Sequence, residues 1–151
     1  MKLGMKRLFG ASEKPARLPE PHLAVAQLLL EIARSDSSIT LSEMTVIRAH
    51  LSQAYGFDEK QLDELIVKAE ANVEQAVSLH DTVKTVNGAL SAEEKAGLMH
   101  ALWQVAYADQ RLDAHEEALL RRLADLLYVP HSVFIREKLA TRRPQIGSTL
   151  L

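Results

Sequence analysis

The amino-acid sequence predicts an all-α domain of about seven helices, arranged as two pseudo-repeats in a compact helical bundle. Three observations support this prediction. Apolar residues recur at the spacing of one helical face, no segment competes as a strand, and helix-start signals recur along the chain. The length of 151 residues is typical of a single domain.

Local signals place the helices in order. The capping-box pattern, in which an N-cap residue is followed three residues later by an acid or amide, occurs four times. The pairs are Thr40/Glu43, Asp58/Gln61, Ser91/Glu94 and Asp113/Glu116. Gly56 and Gly88 lie where helices are expected to end, and Pro130 lies where the last helix begins. These signals predict helices over residues 21–35, 41–55, 59–75, 77–87, 92–108, 113–127 and 131–141.

An internal repeat relates the two halves of this helical region. Moving the sequence by 73 residues pairs Leu29 with Leu102, Asp36 with Asp109 and Glu43 with Glu116. Each copy has an apolar helix, a short loop containing an aspartate, and a second, amphipathic helix. We expect an approximate twofold axis to relate the two copies.

The two apolar helices are expected to form the centre of the bundle. Segments 23–33 and 96–108 are apolar around nearly their whole circumference, so neighbours must cover them on several sides. We therefore expect Ile32 and Leu102 to lie in the core. Each partner helix has one apolar stripe, expected to face inward: Met44, Ile47, Leu51, Ala54 and Tyr55 in the first copy, and Leu119, Leu120, Leu123, Leu126 and Leu127 in the second.

Charge is unevenly distributed along the chain. Residues 1–22 and residues 132–151 each have a net charge of +3, whereas residues 23–131 contain nine basic and seventeen acidic residues, a net charge of −8. The overall charge of −2 argues against a general nucleic-acid binder. Composition predicts a flexible, basic, proline-containing arm over residues 1–19, a helical domain over residues 20–141 and a C-terminal tail over residues 142–151.

The absence of cysteine excludes disulfides, thiolate zinc sites and thiol nucleophiles. It is compatible with the reducing cytoplasm, which is the expected location. No apolar run is long enough to cross a bilayer. Membrane contact is therefore expected to be at most peripheral, through Lys2, Lys6 and Arg7 of the N-terminal arm.

Two segments share a pattern that resembles a known family. Residues 33–39 followed by Glu43, and residues 102–112 followed by Glu116, each have an alanine-containing helix end, an aspartate, an apolar residue three positions later and a glutamate seven positions later. This pattern resembles the repeated signature of the TerB-like family, which is associated with tellurite resistance and is related to the N-terminal domain of the DjlA co-chaperones. The resemblance covers about residues 20–140. It implies an all-helical fold with two pseudo-repeats, no established enzymatic reaction, a role in stress responses and membrane-associated partners.

The resemblance also implies a metal-ion site formed by acidic residues of the repeats. The candidate ligands are Asp36, Glu43, Asp109 and Glu116. Carboxylate oxygens of this kind bind hard divalent cations such as Ca²⁺ or Mg²⁺. The alternative assigns the two glutamates to capping boxes and the two aspartates to bonds within their own loops. Ser37 and Gln110 replace the two glycines of the family pattern, so the loops are expected to be shaped differently.

The sequence predicts no enzyme, because it contains no glycine-rich phosphate loop, nucleophile elbow or paired His–Ser signal. His100, Trp103 and Tyr107 share a helical stripe that predicts core packing, with a ligand pocket as the alternative. We expect a cytoplasmic, non-enzymatic, stress-associated module, with a divalent cation as the one cofactor considered. The alternative function is an adaptor or co-chaperone-like domain that meets an unidentified, membrane-associated protein partner.

Overall fold

The computed structural model describes residues 20–36, 38–75, 78–109 and 112–150, with the backbone alone for Asp36 and residues 143–150. The predicted N-terminal arm, residues 1–19, lies outside these residues, as do Ser37 and Gln110. The described residues form seven α-helices and no strand, which confirms the predicted fold class. The helices are α1 (Pro21–Ala33), α2 (Leu41–Tyr55), α3 (Glu59–Glu74), α4 (Leu79–Ala89), α5 (Ala92–Ala106), α6 (Ala114–Leu126) and α7 (His131–Leu150). A 3₁₀ turn, Arg34–Asp36, follows α1.

The predicted caps begin their helices as expected. Thr40, Asp58 and Ser91 each accept a hydrogen bond from the backbone of the residue three positions later, whose side chain bonds back to the backbone N–H of the cap. At the fourth site, Asp113 Oδ1 accepts from the Glu116 N–H at 2.7 Å. These local bonds satisfy donors that a helix start would otherwise leave unpaired. A fifth cap, Ser78 at the start of α4, was not predicted.

Two predicted helix ends are wrong and one is confirmed. Gly56 has a left-handed φ of 71° and ends α2 as predicted. Gly88 does not end α4, because the helix continues to Ala89. The C-cap residue, Leu90, has an extended backbone, which requires no glycine. The last helix does not end near residue 141, because α7 continues to Leu150.

The centre of the bundle is occupied as predicted. α1 contacts α2, α3, α4, α5 and α6, and α5 also contacts α2, α6 and α7. Ile32 and Leu102 are fully buried. Burial on several sides explains why these two helices are apolar around nearly their whole circumference. Each apolar helix contacts the amphipathic helix that follows it, and the twofold relation between the copies stays a prediction.

One polar side chain lies within this apolar centre. Gln27 of α1 is buried, and its Nε2 donates to Thr82 Oγ1 of α4 at 3.0 Å. Its Oε1 accepts from Asn72 Nδ2 of α3 at 2.9 Å. The Thr82 hydroxyl in turn donates to the Ser78 carbonyl. Both ends of the buried amide are therefore hydrogen-bonded, which removes the main cost of burying it.

The predicted inward stripes of α2 and α6 hold only for part of each helix. Ile47, Leu51 and Leu120 are buried, but Tyr55 and Leu126 are 37% and 39% exposed. Both exposed residues belong to the last turn of their helix. The apolar spacing continues there beyond the part of the helix that its neighbours cover.

None of the described helices combines the length and the apolar content needed to cross a membrane.

Candidate functional site

The first acidic loop joins α1 to α2. Its 3₁₀ turn ends at Asp36, and the Ser35 hydroxyl donates back to the Ile32 carbonyl at 2.9 Å. At the end of the loop, the Thr40 N–H donates to Glu43 Oε1 at 2.8 Å, while the Glu43 N–H donates to Thr40 Oγ1 at 3.1 Å. Glu43 is only 1% exposed. The capping interpretation of Glu43 is therefore confirmed.

The second acidic loop joins α5 to α6. Asp109 is exposed and Glu116 is buried, with 4% of its surface accessible. Asp113 caps α6 through the bond to the Glu116 N–H. The two glutamates that lie 73 residues apart thus occupy the same place at a helix start and are both buried.

Part of the first loop lies against the helix that follows the second loop. The 3₁₀ turn that contains Asp36 contacts α6, the helix that begins after the second loop. The Asp36 side chain lies outside the described part of the structure. Among the residues whose side chains are described, no three histidine, aspartate or glutamate side chains converge closely enough to hold a metal ion. The predicted ligand set of Asp36, Glu43, Asp109 and Glu116 therefore stays a prediction.

A further carboxyl group lies one turn before the first loop. Burial raises the pKa of Glu31 above its ordinary value, and the positive charge of Arg34 partly offsets that rise. The last turn of α1 therefore adds a partly buried acid next to the acidic loop.

Within the stripe of His100, Trp103 and Tyr107, Trp103 belongs to the core, Tyr107 packs against the core, and His100 is only partly buried. Trp103 is fully buried, stacks on Tyr107 at 5.9 Å between ring centroids, and donates from Nε1 to the Phe134 carbonyl at 3.1 Å. His100 Nδ1 lies 3.1 Å from Glu137 Oε1 on α7. The contacts of Trp103 with Phe134 and of His100 with Glu137 hold α7 against α5.

Comparison with known families identifies the domain. The family model described as "Tellurite resistance protein TerB" matches residues 22–139. The chain belongs to the TerB family. No curated protein and no solved structure matches it significantly.

The match confirms the family resemblance and covers the region that contains both acidic loops. The chain is therefore a tellurite-resistance-type module built on a TerB domain. Residues 1–21 lie before the matched region, so the basic arm is not part of the match.

This TerB domain also has a groove that the sequence did not predict. It lies between α4 and the end of α6, has a volume of about 450 Å³, and is lined by His80, Val83, Lys84, Asn87, Leu126 and Tyr128. The one local signal for it is a tyrosine just after α6, where glycine is the usual residue. That signal does not reveal that α4 packs nearby.

Tyr128 has a left-handed backbone conformation, with φ of 59°. Its N–H donates to the Asp125 carbonyl at 3.1 Å, and the Val129 N–H donates to the Ala124 carbonyl at 2.9 Å. This pair of bonds is the Schellman ending of a helix, which requires one left-handed residue. The ring of Tyr128 is left 77% exposed beside the groove.

Proposed function

We propose that this TerB chain is a non-enzymatic, stress-associated module that binds a divalent cation weakly through the acidic loops after α1 and α5. The proposal is supported most by the two glutamates at equivalent helix starts, Glu43 and Glu116, which are both buried. Each carboxylate belongs to the first turn of its helix, where a negative charge is favourable. A glutamate at the same position in both copies favours a common function for the two side chains.

Capping and cation binding are chemically compatible. An ionised carboxylate has two oxygens with about four acceptor positions, so one group can both cap a helix and bind a cation. The 3₁₀ turn that contains Asp36 contacts α6, the helix that contains Glu116. A hard cation with oxygen ligands, Ca²⁺ or Mg²⁺, suits this set of acids.

Calorimetric titration of the full chain with Ca²⁺, Mg²⁺, Mn²⁺ and Zn²⁺ tests the cation proposal. We expect a dissociation constant on the order of 10⁻⁴–10⁻³ M for one hard cation, the range of weak protein sites. The double variant Asp36→Asn/Asp109→Asn should weaken binding by about tenfold or more, because it removes two anionic ligands. The control Glu93→Gln/Asp125→Asn, which changes two exposed acids outside the loops, should bind as the wild type does. The absence of both heat and thermal shift at millimolar ion would eliminate the proposal.

The adaptor role is the second candidate, and the uneven charge favours it. A basic arm next to a domain with a net charge of −8 over residues 23–131 gives the chain two surfaces of opposite sign. Co-sedimentation with vesicles containing anionic lipid compares the full chain with a form that lacks residues 1–18. We expect recovery with vesicles to fall when the arm is removed, and equal recovery would rule out a lipid-binding role for it.

A further inference from the structure

The groove between α4 and α6 combines exposed apolar surface with an aromatic ring held in a costly conformation. Leu126 is 39% exposed and Tyr128 is 77% exposed, so the fold uses little of either side chain for its own packing. A left-handed backbone is unfavourable for a residue that carries a Cβ, and glycine would avoid this cost. Tyrosine at this position therefore presents a ring to solvent at a cost in stability.

The groove also contains an acceptor that lacks a donor. Asn87 Nδ2 donates to the Leu126 carbonyl at 3.1 Å. Its Oδ1 is buried and has no hydrogen-bond partner among the described residues. A buried acceptor without a donor is unfavourable, so the groove wall is imperfectly satisfied in the free domain.

Two lysines lie at the groove. Lys84 lines it, and Lys95 Nζ lies 5.6 Å from the centre of the Tyr128 ring. Neither lysine forms an ion pair with another described residue. This local positive charge contrasts with the net charge of −8 over residues 23–131. It disfavours the chain's own basic N-terminal arm as the occupant.

We propose that the α4–α6 groove binds an acidic linear segment of a partner protein. An apolar side chain of that segment packs against Leu126 and Tyr128, and its carboxylates lie beside Lys84 and Lys95. Large exposed apolar residues with a charged rim are the usual anatomy of such interfaces. The apolar lining favours a peptide over a nucleic acid. This inference is independent of the cation proposal, because it uses a different face and different residues.

A titration of the ¹⁵N-labelled full chain by heteronuclear NMR tests the proposal. The probe is the peptide acetyl-Glu-Asp-Leu-Phe-Asp-Glu-amide, and the control peptide has lysine in place of each acid. We expect the acidic peptide to shift the backbone amides of residues 84, 87 and 126–128, and the basic peptide to leave them unchanged. Absence of shifts at millimolar acidic peptide, shifts confined to other residues, or equal shifts with the basic peptide or a short oligonucleotide would overturn the proposal.

Variants separate binding from folding. Tyr128→Gly should weaken peptide binding by about tenfold while its melting temperature stays the same or rises, because glycine suits the left-handed position. Lys84→Glu should weaken binding similarly, and Lys68→Glu, an exposed lysine on α3, should leave it unchanged. Unchanged binding in Lys84→Glu and Tyr128→Gly would overturn the proposal. So would groove shifts that arise from raising the protein concentration alone, since they would assign the groove to a second copy of the chain.

Discussion

His50 links the stability of the domain to pH through a single side chain. Burial lowers the pKa of His50 below its ordinary value, and the nearby His100 lowers it further. As the pH falls below the ordinary histidine pKa of about 6.5, the unfolded chain gains a proton at His50 that the folded chain resists. Stability contributed by neutral His50 is therefore lost as the pH falls through this range.

We expect His50→Gln to lose less stability than the wild type between pH 7 and pH 5, since glutamine does not titrate. Urea unfolding at several pH values measures this difference. His115→Gln is the matched control, because it removes an exposed histidine from α6. Parallel losses of stability in wild type and His50→Gln would contradict the expectation.

Single residues also explain why the sequence indicates the acidic set as a candidate site and gives no sign of the groove. Asp36, Glu43, Asp109 and Glu116 recur at one spacing, so the sequence alone identifies them as a set. Asn87 and Tyr128 belong to no repeated pattern, and the orphan acceptor of Asn87 exists only because α4 meets the end of α6. A property created by packing between distant segments leaves little trace in the sequence.

Helix starts were predictable and helix ends were less so. A capping box is built from residues three positions apart, so its bonds depend on local geometry alone. Helix ends carry no equally local signal, and Gly88 lies inside α4 while α7 extends to Leu150. The partial exposure of the stripes at Tyr55 and Leu126 has the same origin, because periodicity does not show how far a neighbouring helix reaches.

The start of α2 offers a test of the capping argument. Thr40→Ala should lower the free energy of unfolding by about 1 kcal/mol, since it removes the bond to the Glu43 N–H and opens the capping box. Thr45→Ala is the matched control within the same helix, because Thr45 is exposed and its hydroxyl bonds only one turn back, to the Leu41 carbonyl. Chemical denaturation measures both variants. Equal stability of the two variants would show that the cap contributes nothing beyond helix propensity.

The stability of the whole molecule depends on the contact between the two apolar helices. Leu102→Ala should lower the free energy of unfolding by about 2–5 kcal/mol, because Leu102 is fully buried and its removal leaves a cavity. Leu139→Ala on α7 is the control. Its side chain is 51% exposed, so we expect a change within about 0.5 kcal/mol. A loss below about 1 kcal/mol for Leu102→Ala would contradict its central placement.

Gln27 determines the register of the central helix. Leucine and alanine side chains on several faces of α1 would tolerate a small rotation or slide, because apolar contacts have little directionality. The amide of Gln27 requires Thr82 on one side and Asn72 on the other. A slip of one residue, about 1.5 Å along the axis with a turn of about 100°, would break both bonds and leave a polar group in an apolar core. α1 is thereby held in one position relative to α3 and α4, and the loop that follows it leaves the bundle in one direction.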